Sequence, residues 1–130
     1  MADPRTPPSL DYLPRMPRDR SPRIGCIGAG FIMADCHLVA YASSGFNPVA
    51  ISSRNPETAR AAAQQHNIAT VYDTYQELLT DDSIDIVDIA VPPDIQLEVI
   101  EAVVEQSAHI RGVLAQKPLG VNYAQAKRIV

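Results

Sequence analysis

The sequence predicts a doubly wound α/β fold, a parallel sheet with helices on both faces in three α/β/α layers. Three observations carry that reading. From Arg23 onward, short apolar runs alternate with segments of helical period. The run at residues 84–91 is apolar except for Asp85 and Asp88, as expected of a strand buried on both faces. The segments between runs are long enough for helical crossovers, which parallel strands require. At 130 residues the chain has the length of one domain and can bury a core.

Each element has its own local reason. Residues 23–27 read as a buried strand, 31–42 as a helix stopped near Gly45, and 46–52 as a second strand. Asn55 can cap a helix that starts at Pro56 and runs to about His66. Residues 69–72 form a short strand. Thr74 and Glu77 have capping-box spacing for a short helix through Leu79. Pro92 and Pro93 break the strand at 84–91. The helix at 94–106 carries a wide apolar face, with Ile95, Val99 and Val103 beside Leu97, Ile100 and Val104, and such a face is buried against a sheet. Residues 109–115 read as a strand, and a helix begins at Asn122.

Residues 1–22 are different material. Pro4, Pro7, Pro8, Pro14, Pro17 and Pro22 alternate with Arg5, Arg15, Arg18 and Arg20, a composition that forms neither helix nor central strand. This segment is expected to be an extended or disordered arm, with Leu10, Tyr12, Leu13 and Met16 as its adhesive residues. The domain proper is 23–130. A net charge of −4 argues against a nucleic-acid partner. No apolar run approaches membrane-spanning length and no signal peptide is recognisable, so a cytoplasmic protein without a membrane partner is expected. Cys26 and Cys36 read as two buried, reduced thiols, and no metal site is expected.

The chemistry concentrates at Gly28-Ala29-Gly30-Phe31-Ile32-Met33, placed between the first strand and the first helix. Gly28 permits a tight turn. Gly30, lacking a Cβ, lets backbone approach a diphosphate. The helix that follows offers free N–H groups and a positive dipole end. This is the Rossmann-type dinucleotide fingerprint, with Met33 where Gly or Ala is usual. Either the helix shifts so that Ala34 faces the strand, or Met33 bends away.

The second strand ends in Ser52-Ser53-Arg54-Asn55, and no carboxylate lies between Cys36 and Pro56. NAD binders place an acid about 20 residues beyond the glycines to hold the ribose hydroxyls. Ser53 and Arg54 suit a 2′-phosphate instead, so NADP is the expected cofactor and NAD the alternative. The missing acid also argues against a methyltransferase.

Two further stretches, Val87-Asp88-Ile89-Ala90-Val91-Pro92-Pro93-Asp94 and Ala115-Gln116-Lys117-Pro118-Leu119-Gly120, join the glycine turn in order and spacing. Together they resemble the Gfo/Idh/MocA oxidoreductases, over residues 23–130. The resemblance implies that Ala90, Val91, Pro92 and Pro93 line the cofactor near its nicotinamide. It implies a catalytic role for Lys117, as the lysine of a Glu-Lys-Pro signature beside nicotinamide and substrate. Gln116 replaces the glutamate of that signature, and Gln96 stands where many members carry histidine. Both are expected to touch the cofactor through their amides. His37, His66 and His109 lack motif support, and Asp85 and Asp88 read as structural, bonding loop N–H groups.

The resemblance also implies substrate recognition in a second α/β domain, which this chain is expected to lack. The chain is therefore expected to bind cofactor, to reach its small-molecule substrate only through that missing domain, and to self-associate through the face left open. The expected function is the cofactor domain of an NADP-dependent oxidoreductase acting on a sugar-like or polyol CH–OH group. The alternatives are a non-catalytic NAD(P)-binding or sensing module, and an assembly domain that uses the arm.

Overall fold

The computed structural model describes residues 11–130. Pro4, Arg5, Pro7, Pro8 and Leu10 of the expected arm lie outside the described residues. Residues 11–22 contain no helix or strand, and Tyr12, Leu13 and Met16 are exposed.

Five strands form one parallel sheet: β1 (Arg23–Ile27), β2 (Asn47–Ser52), β3 (Thr70–Tyr72), β4 (Ile86–Ile89) and β5 (Gly112–Ala115), in the spatial order β3-β2-β1-β4-β5. The chain winds outward from β1 to β3, then crosses back to lay β4 on the other side of β1. The reversal leaves a crevice at the carboxyl ends of β1 and β4.

Side chains alternate across the strands and build two cores. Ile24 and Cys26 of β1 and Ile51 of β2 pack with Met33, Leu38, Ala59 and Ala62. Ile27, Ala50, Val87 and Ile89 face the opposite way, onto Leu78, Leu79, Val99 and Val103. The first core lies under helices α1 (Ile32–His37 continuing as Leu38–Ser44) and α2 (Pro56–His66). The second lies under α3 (Tyr75–Leu79) and α4 (Pro93–Gln106). Helix α5 (Tyr123–Ile129) follows β5 and buries no residue completely.

Several helix ends follow the local chemistry of the sequence. The Asn55 side chain accepts from the Glu57 N–H at 3.0 Å with Pro56 at the first turn. Thr74 Oγ1 accepts from the Glu77 N–H at 3.2 Å. Asn122 caps α5 through the Gln125 N–H. Gly45, at φ 73°, closes α1 in the left-handed region, where a Cβ is costly.

Three expectations change. The strands at 84–91 and 109–115 are shorter than their apolar runs. Beyond Ile89 the ladder ends in the Ala90 N–H donating to Ile27 O, and Pro92 and Pro93 then remove donors. Before Gly112, the Ile110 N–H turns back onto Ser107 O. Cys36 is exposed, and only Cys26 is the buried thiol, its pKa pushed far up by burial and then by nearby Asp88.

The third change concerns α1. Its first six residues, Ile32–His37, are π-helical, and the Leu38 N–H reaches back five residues to Met33 O. At about 100° per residue, positions five apart on an α-helix point to different faces. The wider π turn brings Met33 and Leu38 to the same face, where both are fully buried. This resolves the Met33 alternatives. Met33 is accommodated inside the core by a widened helix, and Ala34 stays half-buried at its margin.

Candidate functional site

The crevice at the carboxyl ends of β1, β2 and β4 holds a cleft of about 590 Å³. Gly28, Ala29 and Gly30 form its floor, Ser53 and Arg54 one end, and Ala90, Val91 and Pro92 the opposite wall. Eight of the expected cofactor residues are thus brought together.

The two glycines play separate parts. Gly28 has φ 100°, and its N–H donates to Ser52 O at 2.8 Å, tying the turn to β2. A Cβ there would overlap the Ala90 carbonyl oxygen and lie 2.9 Å from its carbon. At Gly30 a Cβ would meet nothing within 4 Å, so this residue borders open space. Met33 is withdrawn into the core and leaves the turn clear.

Arg54 is exposed at the end of β2, and among the described residues it makes no ion pair. Ser53 Oγ accepts from Thr58 Oγ1 at 3.3 Å. A flexible guanidinium beside the Ser53 hydroxyl is a donor set for a phosphate monoester. The open space at Gly30 and this donor set fit a dinucleotide that carries an adenosine 2′-phosphate.

Other cleft residues were not signalled by any motif. Thr58, Asp73, Gln76 and Ile95 line it, as do Tyr75 and Glu98. Tyr75 Oη donates to Glu98 Oε1 at 2.7 Å; burial, and then this carboxylate, push its phenol up to about 12. The acid-free stretch from Cys36 to Pro56 therefore does not make the whole cleft acid-free. The helical period already sets Ile95 on a stripe with Val99, and the same count places Glu98 one turn from Ile95.

The remaining expected residues lie outside the cleft. Phe31 is exposed, Ile32 half-buried and Pro93 opens α4. Lys117 is exposed just after β5, on the same carboxyl edge of the sheet, and the Lys117–Pro118 bond is cis. Gln96 is a correction. It is buried, and its Nε2 donates to Gln116 O at 2.8 Å and Pro118 O at 3.0 Å, so its amide holds the turn around Lys117 and does not face the cleft.

Gln116 is also engaged. Its Oε1 accepts from the Lys117 N–H at 2.8 Å, and its Nε2 lies 3.0 Å from His37 Nε2. His37 Nδ1 lies 2.8 Å from Asp88 Oδ2, which also accepts from Tyr41 Oη at 2.6 Å. Asp88 is fully buried, and its other oxygen has no partner. It bonds side chains, where loop N–H groups were expected. Asp85 does bond backbone, accepting from the Arg23 N–H at 2.9 Å. The Tyr41 phenol is pushed well above its ordinary value by burial and then by Asp88.

The family described as an oxidoreductase family with an NAD-binding Rossmann fold, Gfo/Idh/MocA, matches residues 22–130. The chain belongs to this family. Gfo/Idh/MocA relatives include a trans-1,2-dihydrobenzene-1,2-diol dehydrogenase of Mus musculus, 33% identical over 110 residues, covering 83% of this chain and 32% of the relative. A D-xylose 1-dehydrogenase (NADP(+)) of Haloferax volcanii is 34% identical over 95 residues, covering 73% and 28%. Among solved structures, a levoglucosan dehydrogenase in complex with NADH and levoglucosan has TM-score 0.73 and 28% identity, covering 84% of this chain and 31% of that one. A 3-ketoreductase from Actinomadura kijaniata, in complex with TDP-benzene and NADP, has the same TM-score and identity and covers 84% and 34%. This chain thus spans about a third or less of the Gfo/Idh/MocA proteins it matches. A nicotinamide-cofactor domain of an oxidoreductase family is the function common to these findings. Among the described residues no helix is long and apolar enough to cross a membrane.

Proposed function

We propose that this chain is the cofactor domain of an NADP-dependent oxidoreductase that moves a hydride between nicotinamide and a CH–OH group of a sugar-like or polyol substrate. The observation that carries the reading is the pairing of open space at Gly30 with an Arg54 that makes no ion pair among the described residues, at the end of the same cleft. The relatives divide between cofactors, since one neighbouring structure holds NADH and another NADP. The choice of NADP therefore rests on Ser53, Arg54 and the absence of an acid between Cys36 and Pro56.

When bound, the nicotinamide supplies the hydride acceptor or donor. Backbone N–H groups after Gly28, into the start of α1, would hold the diphosphate. Arg54 and the Ser53 hydroxyl hold the 2′-phosphate. Ala90, Val91 and Pro92 wall one side and exclude water. Lys117 Nζ, at the β5 end of the same edge, binds the substrate oxygen and holds or relays its proton. The substrate's other contacts come from outside these 130 residues, so the chain alone binds cofactor without turning substrate over.

Calorimetric titration of the chain with NADPH and NADH tests the reading. Saturable binding of both, tighter for NADPH, is expected. No heat at millimolar NADPH from a chain that still unfolds cooperatively overturns it.

A further inference from the structure

One donor of fixed polarity orders the cluster behind Lys117. A backbone N–H can only donate, so the Lys117 N–H fixes the Gln116 amide with Oε1 toward it. Gln116 Nε2 is then the group that faces His37 Nε2, and an NH₂ can only donate. His37 Nε2 must therefore be bare, which leaves the ring proton on Nδ1, donating to Asp88 Oδ2. Tyr41 Oη supplies the second donor to the same oxygen. The chain of bonds runs from a fully buried carboxylate in β4, through a ring on α1, to the backbone of Lys117 beyond β5.

Gln96 grips the same turn from the opposite helical layer, through the Gln116 and Pro118 carbonyls. Lys117 is exposed, yet its N–H is held by the Gln116 side chain, which His37 of α1 contacts, and the carbonyls of Gln116 and Pro118 on either side are held by Gln96 of α4. An exposed lysine needs no such support for stability alone. A lysine that must be aimed does.

We propose that His37 and Asp88 are positioning residues for Lys117, acting through Gln116, with His37 held as the neutral Nδ1–H tautomer. The functional half of this rests on the reading that Lys117 borders the nicotinamide end of the cofactor. The network fixes the direction of the lysine and leaves the adenosine end of the cleft untouched.

The test has two arms. Long-range ¹H–¹⁵N spectra of the imidazoles, with His37 assigned by its loss in His37→Ala, should show a protonated Nδ1 and a bare Nε2 at neutral pH. An Nε2–H tautomer or a doubly protonated ring overturns the network, whether or not a cofactor binds. In the second arm, Gln116→Met keeps length and removes both hydrogen bonds. Affinity for NADPH should fall about five- to tenfold, the size of one misplaced hydrogen bond, while affinity for 2′,5′-ADP stays within twofold. Equal loss for both ligands means general loosening and overturns the positioning role, as does no change for either. His37→Ala should reproduce the split, and thermal unfolding of each variant verifies that it is folded. Failure of wild type to bind either ligand instead overturns the cofactor reading, leaving the spectra to decide the network.

Discussion

Gly28 and Ala90 come together so closely that a side chain on the first would collide with the carbonyl of the second. Their meeting joins the ends of β1 and β4 at the point where the sheet reverses its winding, and it sets the floor of the cleft.

That contact separates the two glycines experimentally. Gly28→Ala must bear both a positive φ and an overlap with backbone. We expect a stability loss of about 3 kcal/mol, the sum of left-handed strain and overpacking. Gly30→Ala adds a methyl group to open space and should change stability by less than about 0.5 kcal/mol. It should nonetheless weaken NADPH binding at least about tenfold, since the methyl occupies the diphosphate's path. Urea unfolding and calorimetric titration of the two variants read out the contrast. A Gly30→Ala protein that binds like wild type would place the diphosphate elsewhere.

Arg54→Ala should discriminate between cofactors. Losing a charge-assisted phosphate contact costs about 1.5–3 kcal/mol, so NADPH affinity should fall about ten- to a hundredfold. NADH affinity and thermal stability should hardly move, because Arg54 is exposed and unpaired among the described residues. Equal weakening of both cofactors would deny Arg54 a role in reading the 2′-phosphate.

Alkaline pH should destabilise the fold through its raised phenols, Tyr41 and Tyr75 above all, with Tyr72 raised by burial and then Asp81. Burial, and then Asp88 and Glu98 respectively, raise Tyr41 and push Tyr75 up to about 12. The folded chain therefore holds these protons more tightly than the unfolded chain. Their stabilising effect is complete below the ordinary tyrosine value of about 10 and is lost as pH rises through the folded-state values. Unfolding free energy should decline above about pH 10, and Tyr41→Phe should flatten that decline. Tyrosinate absorbance should show the late-titrating component shrinking in the same variant. A variant with an unchanged slope would detach Tyr41 from the effect.

What the sequence revealed and what it hid divide along a physical line. Helix ends at Asn55, Thr74, Asn122 and Gly45 were legible because the groups that make them lie within a few residues of one another. The glycine turn was legible because its position between strand and helix carries its meaning. The π-helical start of α1 was not, because it follows from where Met33 must sit against a sheet built largely from later residues. The bonds of His37 to Asp88 and Gln116 span 51 and 79 positions, and no local pattern announces them. Gln96 was assigned from a neighbouring motif, yet burial turned its amide inward.

Arg54 and Lys117 are carried by strands with unequal numbers of neighbours. Arg54 leaves a strand with neighbours on both sides, whereas Lys117 leaves β5, a margin strand whose Val113 and Leu114 are half-exposed on opposite faces. The proposed phosphate grip and the proposed oxygen handling are thus anchored differently. Any surface that comes to rest against that margin stiffens the lysine's own footing without entering the cleft.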